Sequence, residues 1–130
     1  MVGRKLLRGY FPFRVGGKTV YDGLFYIDKS QGDTIPQNIK SHNLKFVEFK
    51  YCVSGLIRDL DDEKKFLQEI DLLVCWENDI KDDAAIEYSI HSLSRENIEP
   101  YPGAQKRIKR GINSCQVLIL KDFLESLKLI

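Results

Sequence analysis

The chain has 130 residues, of which 43% are hydrophobic and 30% charged, and its formal net charge is +1. That length suits one domain with its own core, and the composition excludes a disordered, collagen-like or coiled-coil chain. A near-neutral balance neither announces nor excludes a nucleic-acid binder, which needs a local basic surface rather than a basic total.

In chain order, residues 8–15 (RGYFPFRV) predict a first strand, with Pro12 arguing for an edge or a bend. Gly16, Gly17 and Lys18 mark a turn into a second strand at residues 19–27 (TVYDGLFYI), so the two form a hairpin. Residues 28–43 are polar and read as a loop. A third strand is expected at residues 44–53 (LKFVEFKYCV), where Glu48, Lys50 and Cys52 share one face and Val47, Phe49 and Tyr51 the other. Residues 54–60 read as a connection and residues 61–70 (DDEKKFLQEI) as a helix opened by acid.

The run at residues 71–76 (DLLVCW) is nearly all apolar and predicts a strand buried on both faces. Residues 77–85 are loop-like, and residues 86–93 read as a weaker element, a strand or a short helix, with strand favoured. The Pro- and Gly-containing stretch at residues 94–113 reads as loop and carries the basic cluster Lys106, Arg107, Lys109 and Arg110. A strand at residues 115–120 and a terminal helix at residues 121–129, with Phe123, Leu124 and Leu127 on one face, complete the pattern. The fold class is therefore α/β, a mixed central sheet with flanking helices.

Cys52, Cys75 and Cys115 sit in apolar runs without CxxC spacing, which predicts buried thiols in a reducing compartment rather than a zinc site. His42 and His91 are isolated, and Trp76 reads as core. No stretch approaches the ~18 apolar residues that span a membrane, and the N-terminus has no apolar signal core. A cytoplasmic protein with no membrane partner is the expectation. The abrupt start, charged and aromatic residues leading straight into a strand, is also what a domain excised from a longer protein would show.

Charges inside apolar strands are costly unless solvated, paired or holding a metal. Asp22, beside Gly23, interrupts the second strand, and Glu48 and Lys50 interrupt the third. Two carboxylates and a lysine from neighbouring strands can converge, and Mg²⁺ favours few carboxylates, water and substrate phosphate oxygens. An ammonium beside such an ion can polarise water or offset charge on phosphate.

The Asp22-Gly23 pair followed by Glu48-Phe49-Lys50 resembles the PD-(D/E)xK phosphodiesterases, a superfamily of restriction endonucleases, junction resolvases and repair nucleases. The likeness spans roughly residues 8–76. It implies one nuclease-like domain over residues 1–130 with a restriction endonuclease-like α-β-β-β-α-β core, its first helix short or missing. It implies that Asp22, Glu48 and the carbonyl of Phe49 hold Mg²⁺ or Mn²⁺, and that Lys50 is the catalytic lysine. The activity would be metal-dependent hydrolysis of DNA, with a second copy or parent-protein domains as further partners. Lys106, Arg107, Lys109 and Arg110 would contact the phosphate backbone, and Gln68 would lie near the site.

Tyr21 stands where many members have Pro, and no Glu precedes Glu48. Three alternatives follow: a site of two carboxylates, a missing N-terminal helix, or a nuclease-like module that binds nucleic acid or a partner protein without cutting. A plain structural domain would instead leave the three side chains more than about 10 Å apart, because metal–ligand bonds are about 2 Å long.

Overall fold

A computed structural model describes residues 9–15, 21–28, 43–80, 88–96 and 100–128. The expected turn at residues 16–18, the start of the second strand and most of the 28–43 loop, with His42, lie outside the described residues.

Strand β1 (Tyr10–Val15) pairs antiparallel with β2 (Gly23–Ile27), and β2 with β3 (Leu44–Cys52). Strand β3 then pairs in parallel with β4 (Leu72–Glu77), and β4 with β7 (Asn113–Ile119). Strands β6 (Lys106–Arg110) and β5 (Ser89–Ser92) continue antiparallel from β7. The order β1-β2-β3-β4-β7-β6-β5 is one mixed seven-stranded sheet. Helices α1 (Val53–Asp61) and α2 (Leu120–Ser126) flank it. Among the described residues no helix is long and apolar enough to cross a membrane.

Pro12 sits on the edge strand, and the pairing register shifts between Pro12 and Arg14. An edge tolerates the missing N–H, and a bulge absorbs it. Strand β4 is central, and both Leu72 and Leu73 are fully buried, one on each face. This accounts for its unbroken apolar run.

Several local expectations are corrected. The helix does not begin at residue 61. Strand β3 runs straight into α1 through the extended Cys52, and residues 61–70 supply only the helix end, a turn and a short 3₁₀ segment at Leu67–Glu69. Val53, Leu56, Ile57 and Leu60 provide the i, i+3, i+4, i+7 stripe that packs against the sheet. The acidic residues therefore sit at the helix C-terminus, where the dipole disfavours them, and Glu63 leaves the helix in the left-handed region with φ of 57°. The N-terminal amides recruit acid from elsewhere: Asp79 accepts from the Ser54 amide at 3.0 Å.

The second correction concerns the basic cluster, which is strand β6 and not loop. Ile108 is buried between β5 and β7, and strand alternation sends its charged neighbours to both faces.

The core has two parts, one on each face. Leu73, Cys75, Val117 and Ile119 pack with Leu56 and Leu60 of α1, while Val47, Leu72 and Leu118 pack with Phe123 of α2. Cys75 and Cys115 are buried, and burial pushes both thiols up to about 12. Cys52 is only half-buried, as is Trp76, so neither is the core residue expected.

Arg107 and His91 meet at Glu96. Arg107 Nε donates to Glu96 Oε2 at 2.7 Å, and His91 Nε2 lies 3.0 Å from the same oxygen. The Arg107 hydrogen bond holds the Glu96 carboxyl below its usual range despite partial burial. A lowered folded-state pKa stabilises the fold above the ordinary carboxylate value of about 4.3 and loses that stabilisation as pH falls. Glu96→Gln is expected to cost about 1–2 kcal/mol at pH 7. In urea unfolding the gap to the parent should narrow steadily toward pH 3.5. A gap independent of pH would contradict this linkage.

Candidate functional site

Glu48 and Lys50 occupy alternate positions of β3 on the face that carries α1. Asp22 is not in the middle of a strand as expected; Tyr21 and Asp22 form a bend immediately before β2. That bend brings Asp22 to β3 at the level of Glu48. The Phe49 amide donates to Asp22 Oδ2 at 2.9 Å, and the Asp22 amide donates to Glu48 Oε1 at 3.0 Å. Asp22 thus supplies an acceptor to β3 where the β2 ladder has ended at Gly23↔Val47.

Glu48 is fully buried. Its second oxygen, Oε2, accepts from the ammonium of Lys65. The Lys65 Nζ also lies 3.8 Å from Asp59 Oδ2, and Lys50 Nζ donates to that same Asp59 oxygen at 2.5 Å. The Lys50 stem runs along Gly55, with its Cδ 3.5 Å from where a β-carbon there would stand, and its head reaches Asp59 one helical turn further on. The hydrogen bond from Lys50 holds the Asp59 carboxyl below the usual range, against a smaller opposing effect of burial. The result is a continuous chain: Asp22, Glu48, Lys65, Asp59, Lys50.

Tyr21, the neighbour of Asp22, is buried. Its hydroxyl donates to Glu69 Oε1 at 2.6 Å, and burial with that bond pushes its pKa up to about 12. Phe46, 37% exposed, packs against Tyr21 with ring centroids 5.4 Å apart.

Asp22 therefore meets Glu48, and Lys50 joins them through Asp59 and Lys65, whereas the basic cluster is not gathered with them. In the sheet order β3-β4-β7-β6, two strands separate it from the site. Arg107 is committed to Glu96 and Ser114, and Lys109 is exposed on the strand face opposite Ile108. Arg110 shares a cleft with Lys65 and Gln68.

Among the described residues no three His, Cys, Asp or Glu side chains form a group that could hold a metal. Glu48 accepts the Asp22 backbone amide at one oxygen and the Lys65 ammonium at the other, which leaves one lone pair on each. Lys65 already places a positive charge on Glu48, so a divalent ion would share or replace the position of that ammonium.

No protein-family model, curated protein or solved structure matches the chain. The resemblance to the PD-(D/E)xK enzymes therefore rests on the sequence pattern of Asp22, Glu48 and Lys50 alone.

Lys65 and Asp59 were not legible as site residues. Lys65 lies in the charge run DDEKK, which reads as a solvated helix face, and Asp59 lies in a segment that reads as a connection. A helix placed at residues 53–61 would have set Asp59 one turn after Gly55 and within reach of Lys50.

Proposed function

We propose that this chain is a metal-dependent phosphodiesterase acting on DNA, with a restriction endonuclease-like core formed by β1-β2-β3-α1-β4. The observation that carries this reading is the junction of Asp22 with Glu48. A buried carboxylate, a second carboxylate tied to it through one backbone N–H, and a lysine two residues along the same strand face form one unit.

Asp22, Glu48 and the Phe49 carbonyl would hold the ion. Bound Mg²⁺ supplies Lewis-acid polarisation of a phosphoryl oxygen and a water of lowered pKa. Lys50 offsets the negative charge that grows on the phosphate as a water oxygen attacks phosphorus and one ester oxygen leaves. Asp59 is the positioning residue for that ammonium, because it anchors the Lys50 head at 2.5 Å.

The second reading is a nuclease-like module that binds without cutting. Both Glu48 oxygens already accept from N–H donors, and Asp22 also completes the hydrogen bonding of β3. Cleavage of plasmid, single-stranded and branched DNA in Mg²⁺ or Mn²⁺ separates the two. Metal-dependent cleavage that falls at least about 10²-fold in Glu48→Gln is expected. Absence of cleavage on every substrate, with the fold intact, would favour the binding module.

A further inference from the structure

A cleft of about 370 Å³ is lined in part by Lys65, the residue whose ammonium contacts Glu48. Its walls come from Leu60 near the end of α1 and the segment after it, from Tyr88 before β5, and from the β6–β7 turn with the strand residues that flank it. Lys65, Phe66, Gln68, Tyr88, Arg110 and Asn113 carry its chemistry, and none of the described residues that line it is acidic. Asp61, exposed at the end of α1, accepts from the Tyr88 hydroxyl at 3.4 Å.

Three features together describe a ligand. Phe66 is 48% exposed, a flat apolar ring presented to solvent at the cleft wall. Arg110 is exposed, and its guanidinium stands 5.2 Å over the Tyr88 ring while donating to the Tyr88 hydroxyl at 2.9 Å. This pairing fixes a cation in a defined plane. Gln68 and Asn113 add carboxamides, which both donate and accept. A planar heterocycle joined to a phosphate matches such a wall.

We infer that this cleft takes one unpaired nucleotide of single-stranded DNA, with the base against Phe66 and a phosphate at Arg110. The volume is near the lower end for ligand pockets, which admits one nucleotide and excludes a duplex. Base–aromatic stacking and a cationic groove are the usual means of single-strand capture. The inference rests on the proposed nuclease site in one respect: Lys65 lines the cleft and also contacts Glu48, so a nucleotide seated here adjoins the carboxylates.

The test is fluorescence anisotropy with a labelled oligothymidine and a duplex of equal length, in EDTA so that nothing is cut. Single-strand binding should exceed duplex binding. Phe66→Ala should weaken it about fivefold or more without changing its salt dependence, and Phe66→Trp should retain it. Arg110→Ala should weaken it and reduce the slope of log K against log salt by about 0.7. Lys109→Ala, a surface charge on the other face of β6, should change affinity less than Arg110→Ala. Phe66 and Arg110 are exposed, and unchanged circular dichroism would establish that the variants fold.

Equal binding of duplex and single strand, or indifference to both Phe66→Ala and Arg110→Ala, would overturn the inference even if cleavage is found. Binding with this mutational pattern but no cleavage in any metal would keep the cleft and retire the hydrolase.

Discussion

Replacing Lys65 by Met is expected to destabilise the protein by about 3–5 kcal/mol, the usual result of removing one partner from a buried ion pair. Glu48 has no exposed surface, and Lys65 is its ammonium partner, with a side chain only 12% exposed. Met keeps most of the aliphatic stem, so the loss reports the charge and not the packing. Against a typical stability of 5–15 kcal/mol this is a large fraction, and the melting temperature should fall by about 10–20 °C. Adding Glu48→Gln to Lys65→Met should recover part of the loss, because the uncompensated charge is gone. Thermal and urea unfolding of the two single variants and the double variant check this. A Lys65→Met change below about 1 kcal/mol would mean that the pair is not buried in solution.

Lys50→Ala is expected to act in the opposite manner, with little effect on stability and a large effect on rate. Its ion pair with Asp59 is partly exposed, 24% and 18% for the two side chains, and such pairs contribute about 1 kcal/mol or less. If its ammonium offsets charge on the phosphate, its loss should lower single-turnover cleavage by about 10²–10³-fold. Lys50→Arg keeps the charge but changes its shape and reach, and should recover only part of that rate. Asp59→Asn should fall between the parent and Lys50→Ala, because it removes the anchor and leaves the ammonium. Wild-type rates in Lys50→Ala would remove this residue from the mechanism.

The sequence showed strands where apolar residues ran long enough to dominate. Strands β3, β4 and β7 and helix α2 were legible for this reason, and Pro12 marked the edge. Helix α1 was not, because Ser54 and Gly55 resemble a connector while the apolar stripe Val53, Leu56, Ile57 and Leu60 follows a strand without any break. Strand β6 was hidden because Ile108 is its only apolar residue, and its partners β5 and β7 provide the burial that identifies it.

The site was legible in proportion to how far each charge departs from its surroundings. Glu48 and Lys50 break an apolar strand, and Asp22 stands before another. Lys65 and Asp59 lie among other charges, so only the geometry distinguishes them. The same geometry separates Arg110, which borders the cleft, from Arg107, which is tied to Glu96 and Ser114.

The most direct measurement is a calorimetric titration of the protein with Mn²⁺, repeated with Asp22→Asn and Glu48→Gln. One saturable ion per chain, lost in both variants while their circular dichroism is unchanged, is the predicted result. Either no binding to the parent chain, or binding that survives both substitutions, would contradict a cation site where Asp22 and Glu48 meet.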